Sequence, residues 1–202
     1  MAKIAIDVVL LPSEEMMNKA IEINKELLKT YENKIVLDKK RCLPHSSLCM
    51  GCINEEDIPK IQKVLKDIAS QFSKMNLVAD KLEPETIPTG KIVSGITVKN
   101  TKELQSLHEI IMKRLWKFLS YDVKIPMLFN PPEVEEVTLY WIKNYAKIYD
   151  NPSSFQPHIT TGFGETDKFQ FPIKFTVSKL AMCQLGNYCT CRKVLVSFNL
   201  KS

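Results

Sequence analysis

One short pattern occurs twice in this chain, each time where a strand is expected to begin: Pro44-His45-Ser46-Ser47 and Pro157-His158-Ile159-Thr160. Only three histidines occur among the 202 residues, and two of them stand in this repeat. Proline fixes its own φ and biases the residue before it toward extended structure. Along a strand, side chains two apart share a face. The repeat therefore predicts two imidazole-plus-hydroxyl pairs, His45 with Ser47 and His158 with Thr160.

Such pairs suit phosphoryl transfer by acid and base. An imidazole of ordinary pKa, about 6.5, takes or gives a proton near neutral pH. A hydroxyl beside it donates a hydrogen bond to a phosphate oxygen that gains charge in the transition state. Two pairs face to face would supply a base on one side of the phosphorus and an acid on the other, as in-line displacement requires. A lone His-x-Ser/Thr tripeptide is a weak signal, whereas its duplication behind proline is a strong one.

On these residues the chain resembles the 2H phosphoesterase superfamily, which contains the LigT-like 2′-5′ RNA ligases and 2′,3′-cyclic phosphodiesterases. Its members carry one His-x-Thr/Ser motif in each half of a two-lobed fold, here His45-Ser46-Ser47-Leu48 and His158-Ile159-Thr160-Thr161. Ser46 and Thr161 depart from the apolar residues usual at their positions. The resemblance implies an α+β fold of two lobes, antiparallel sheets flanked by helices, with a central cleft between the motifs. It also implies His45 and His158 as catalytic residues, Ser47 and Thr160 as phosphate-binding residues, and chemistry with no metal and no cofactor.

The chain is 45% hydrophobic and 25% charged, ordinary for a globular protein, and its length fits a single two-lobed domain spanning residues 1–202. A net charge of +5 is compatible with a phosphate-bearing ligand but too weak to argue for duplex nucleic acid. Residues 4–11 are apolar but short and broken by Asp7, so they read as a buried strand and not a signal peptide. No run approaches the roughly 18 apolar residues of a membrane span. The expectation is a cytoplasmic monomer that meets a nucleotide or short RNA and no membrane. Of six cysteines, Cys49 and Cys52 form a C-x-x-C and Cys189 and Cys191 a C-x-C. A four-sulfur zinc site could join them, but the first pair falls on a strand pattern and the second is embedded in a hairpin, and reduced, mostly buried thiols are expected.

Read in order, residues 3–11 predict a strand. Ser13 then caps a helix running to about residue 31, and residues 33–37 are a short strand candidate. The basic run Asp38-Lys39-Lys40-Arg41 reads as a solvated turn that could also steer phosphate toward the first motif strand, 45–52. Asn54 is expected to cap a second helix, and Thr101 a third that carries His108, read as a surface or satisfied core histidine. Between them, residues 76–87 and 91–98 form a hairpin around Pro88-Thr89-Gly90. Residues 120–133 read as a long loop, a candidate lid with Phe129 able to stack on a base, followed by a fourth helix over 134–148. Strands over 173–184 and 193–200 close the chain around a tight Gly186-Asn187 turn. Strand pairs separated by single helices predict two sheets covered by helices, and the resemblance implies a motif strand near the centre of each, facing a shared cleft.

The leading functional expectation is a metal-independent phosphodiesterase acting on 2′,3′-cyclic phosphate or 2′-5′-linked nucleotides. Two other readings come from different classes: an RNA-binding module using the same cleft without turnover, and a Cys/His structural metal-binding protein.

Overall fold

The computed structural model describes residues 2–130 and 134–201, so Pro131 and Pro132 of the expected loop lie outside the described residues. Strand β1 (Lys3–Pro12) is buried on both faces, as its apolar run, interrupted only by Asp7, predicts. Ser13 caps α1 (Glu14–Leu27) by accepting from the backbone N–H of Met16. The remaining elements are β2 (Ser46–Asn54), α2 (Ile58–Gln71), β3 (Met75–Thr86), β4 (Ile92–Val98), α3 (Lys102–Leu115), α4 (Glu136–Asn144), α5 (Ala146–Asp150), β5 (His158–Phe163), β6 (Ile173–Leu185) and β7 (Cys191–Asn199). The apolar stripes of the helices are the buried faces: Met16, Ala20, Ile23 and Leu27 on α1, Ile61, Leu65 and Ile68 on α2, and Leu104, Leu107, Ile111 and Leu115 on α3.

The strands form one antiparallel sheet of seven, in the order β2-β1-β6-β3-β4-β5, with β7 also on β6. Long β6 joins the two halves. Val177 pairs with both Pro12 and Met75, so β1 and β3 flank β6 from opposite sides. Lys179 pairs with both Leu11 and Asn199, which puts β7 opposite β1 and on the same side as β3. One half is thus β2, β1, the end of β6 and β7; the other is β5, β4, β3 and the start of β6. Helices α2 and α3 pack on each other and cover the first half, while α1 packs against β5 in the second.

This arrangement corrects the expectation that each motif strand lies near the middle of its sheet. Because β6 serves both halves, β2 and β5 become the two ends of the strand order, and the curvature of the sheet brings them into contact. Residues 33–37 form no strand. Buried Asn24 of α1 takes their hydrogen bonds instead, donating to the Ile35 carbonyl and accepting from the Leu37 N–H. Asn54 caps no helix with its side chain: it donates to Asp57, and a 3₁₀ turn over Glu55–Asp57 precedes α2. The β6–β7 connection is a five-residue loop, not a two-residue turn. Its Gly186 N–H donates to the Thr190 carbonyl, and Tyr188 and Cys189 both have positive φ.

The cysteine expectation is corrected as well. Cys183 and Cys191 are disulfide-bonded across β6 and β7, while Cys42, Cys49, Cys52 and Cys189 are free. With Cys191 engaged, the four-sulfur arrangement has lost one of its ligands. Among the described residues no three His, Cys, Asp or Glu side chains are grouped to hold a metal ion. No helix among them is long and apolar enough to cross a membrane.

Candidate active site

Where β2 and β5 meet, a cleft of about 890 Å³ opens, and His45, Ser47, His158 and Thr160 all line it. The two motifs present their histidines in the same local way. His45 Nδ1 lies 2.7 Å from the Leu43 carbonyl, and His158 Nδ1 lies 3.0 Å from the Gln156 carbonyl. In each case the partner is two residues upstream, across the proline. A carbonyl only accepts, so Nδ1 is the protonated nitrogen of each neutral ring and Nε2 is left to do chemistry. This gives the repeated proline a mechanistic reason, since the extended Leu43-Pro44 and Gln156-Pro157 segments hold the carbonyls that fix both tautomers.

The surroundings of the two rings differ. His45 stands at the head of β2 with its side chain only 12% exposed, whereas His158 is exposed on the far wall. Burial is the main cause holding the His45 imidazole down to about 4. The Leu43 carbonyl pulls the other way, and the neighbouring His158 adds a further lowering. At neutral pH His45 is therefore an unprotonated imidazole. The second motif rests on β4, where Thr160 pairs with Gly95 and His158 with Thr97. A Cβ at Gly95 would lie 3.5 Å from the His158 ring, an ordinary contact distance.

Sequence reasoning missed Asp7. It lies mid-β1 with no exposure, and its Oδ2 accepts the Ser47 hydroxyl at 2.6 Å and stands 3.8 Å from His45 Nε2. Its Oδ1 has no hydrogen-bond partner. Burial, opposed chiefly by the Ser47 hydroxyl, pushes this carboxyl up to about 8. The available signal was a lone carboxylate inside an otherwise apolar strand. Also missed was the wall built by α4 and α5, where Trp141, Asn144, Tyr145 and Ile148 line the cleft.

Other expectations are placed elsewhere. No residue of the loop before α4 lines the cleft among the described residues, and the backbone N–H of Phe129 instead bonds the Leu185 carbonyl at the end of β6. The basic run is a turn folded around Asp38, whose Oδ1 accepts from the N–H groups of Lys40, Arg41 and Cys42. His108 is a satisfied core histidine, 1% exposed, bonded through Nδ1 to the Leu48 carbonyl at 2.7 Å and stacked on Phe155. Ser46 and Thr161 are both buried away from the cleft, and the Thr161 hydroxyl donates to the Ser94 carbonyl.

No family model and no curated protein matches the chain. Solved structures do. TT0787 of Thermus thermophilus superposes with a TM-score of 0.60 at 16% identity, covering 98% of both chains. E. coli LigT in its apo form superposes over 100% of both chains with a TM-score of 0.58 at 12% identity, and LigT complexed with 3′-AMP with a TM-score of 0.58 at 11% identity. At this identity the likeness speaks for the fold alone, and it does so over the whole chain: the protein has the fold of E. coli LigT.

Proposed function

We propose that the protein is a metal-independent phosphodiesterase acting on 2′,3′-cyclic phosphate or 2′-5′-linked nucleotides. One observation carries the reading: two histidines, each with Nδ1 tied to a carbonyl, line a single cleft together with the hydroxyl residue of their own motif. That LigT has been crystallised with 3′-AMP fits a nucleotide in such a cleft.

His45 is the base for hydrolysis, because burial keeps its ring unprotonated. His158, open to water, is the acid. On a nucleoside 2′,3′-cyclic phosphate, His45 Nε2 removes a proton from water as the oxygen attacks phosphorus. The bond from phosphorus to the 3′ oxygen breaks, and protonated His158 gives its proton to that oxygen, leaving a 2′-phosphate. Exchange with solvent then resets both rings. Thr160 and Ser47 donate to the non-bridging oxygens. Both motifs belong to one chain, so a monomer suffices.

The test is a panel of nucleoside 2′,3′-cyclic phosphates and 2′-5′-linked dinucleotides incubated with EDTA, with products separated by chromatography. Turnover to 2′-phosphates that is lost in His45→Ala and His158→Ala is expected. No turnover of any panel member, or turnover abolished by EDTA, would overturn the proposal.

A further inference from the structure

The two motifs differ in one respect that their sequences hide. The Ser47 hydroxyl is held by the buried carboxyl of Asp7 at 2.6 Å, whereas Thr160 makes no side-chain hydrogen bond among the described residues. A hydroxyl has one proton to give. If Asp7 is ionised it can only accept, so Ser47 must donate to it and offers the cleft lone pairs alone, which repel a phosphate oxygen. If Asp7 carries a proton, its O–H donates to Ser47 Oγ and the Ser47 proton is free to turn into the cleft. The oxygen–oxygen separation suits either direction.

We propose that Asp7 is a positioning residue whose proton sets the direction of the Ser47 hydroxyl, making Ser47 a phosphate donor only while Asp7 is protonated. This rests on the reading of the cleft as a phosphate site. The groups facing Asp7 permit the protonated state. On β2 these are Ser47 and Cys49, with His45 just before it, its Nε2 3.8 Å away; Tyr145 comes from the end of α4, and Cys189 from the β6–β7 connection. No lysine or arginine is among them. Burial raises the two thiols and the phenol, so they stay neutral where Asp7 titrates. The carboxyl itself is pushed up to about 8, which makes the donating arrangement the resting one at neutral pH. The Ser47 hydroxyl and the backbone N–H groups of Cys49 and Leu48 favour the anion, but burial outweighs them, and Oδ1 is left without a hydrogen-bond partner of its own.

The experiment measures the binding of inorganic sulfate, which does not titrate in this range, by calorimetry from about pH 6 to about pH 9.5 across the Asp7 value. Wild-type affinity is expected to fall roughly tenfold or more as Asp7 ionises, the worth of one hydrogen bond to a charged oxygen. Asp7→Asn should lack this Asp7-dependent part of the fall, because its amide donates to Ser47 Oγ at every pH. In Ser47→Ala affinity should be weaker at neutral pH and the alkaline fall much reduced. A flat wild-type curve overturns the proposal. So does an equal alkaline fall in Ser47→Ala, which would make Asp7 a plain repelling charge, or a folded Asp7→Asn that cannot bind sulfate. Turnover of the cyclic nucleotides, assayed beside it, separates the two ideas. Turnover with flat sulfate binding sinks the Asp7 role alone, and the expected sulfate behaviour without turnover sinks the phosphodiesterase reading alone.

Discussion

Asp7 and His45 stand 3.8 Å apart, and burial moves their protons in opposite senses, which gives the fold a distinctive response to pH. Asp7 rises from 3.8 to about 8, so between those values the folded chain holds a proton that the unfolded chain has lost, and stability falls as pH rises. His45 drops from 6.5 to about 4, so between those values the unfolded chain holds the extra proton, and stability rises with pH. From about 4 to 6.5 the two effects cancel. From 6.5 to about 8 only Asp7 acts, and stability should decline by about 2 kcal/mol. Urea unfolding at several pH values checks this, and Asp7→Asn should abolish the decline; a decline that persists in that variant would place its source elsewhere. Among the histidines, His45→Ala and His158→Ala should each lower kcat/KM by roughly 10²–10⁴ without unfolding the chain. His108→Ala should instead lose about 1–3 kcal/mol of stability, since it leaves the Leu48 carbonyl unpaired, while the folded fraction keeps its rate. If His108→Ala stayed fully stable yet inactive, the roles assigned to the three histidines would be wrong.

At the scale of elements, periodicity was the most legible layer, because strands and helices here bury clean faces. It placed β1, the β3–β4 hairpin and the three long helices within a few residues, with Ser13 and Thr101 at their caps. It failed where a single side chain replaced a regular ladder. Residues 33–37 have strand-like composition, yet Asn24 satisfies their backbone from a helix, a partnership no local pattern announces. Asn24 also donates to the Thr161 carbonyl at 2.7 Å, so one buried amide ties α1 to the loop before the first motif and to the strand of the second. The paired histidines were legible because spacing two along a strand is local. Asp7 was not legible as a neighbour of the motif, since its link to Ser47 depends on how β1 and β2 register. A bulge between Val8 and Val9 shifts that register beside the motif. Asn24→Leu should therefore cost about 3 kcal/mol or more by leaving three backbone groups without partners. It should also lower kcat more than the stability loss explains, by loosening β5. Thermal unfolding and single-turnover rates on the folded fraction check both, and an unchanged Tm would remove Asn24 from this role.

At the scale of the molecule, the positive charge of the chain does not gather in the cleft. The lysines in the lining, Lys81 and Lys99, are paired with the lining acids Glu83 at 2.7 Å and Asp80 at 3.1 Å, and Glu85 adds a further negative charge. An extended RNA backbone needs a track of free cations, and its binding weakens steeply with salt. Among the described residues this cleft offers no such track. It offers instead two imidazoles, two hydroxyls and an aromatic wall of Trp141 and Tyr145, a set matched to one phosphate and one base. The substrate should accordingly be short. For oligonucleotides ending in a 2′,3′-cyclic phosphate, kcat/KM should stop rising beyond two or three residues, a length set by roughly one phosphate contact. Raising salt from about 50 to 200 mM should lower it only about threefold, the response to neutralising a single phosphate charge. Glu83→Gln frees Lys81 and should make the longer substrates more salt-sensitive while leaving the mononucleotide unchanged. A wild-type loss of ~10³-fold over the same salt range, or rates that keep climbing with length, would mean that cations outside this lining guide a long RNA into the cleft.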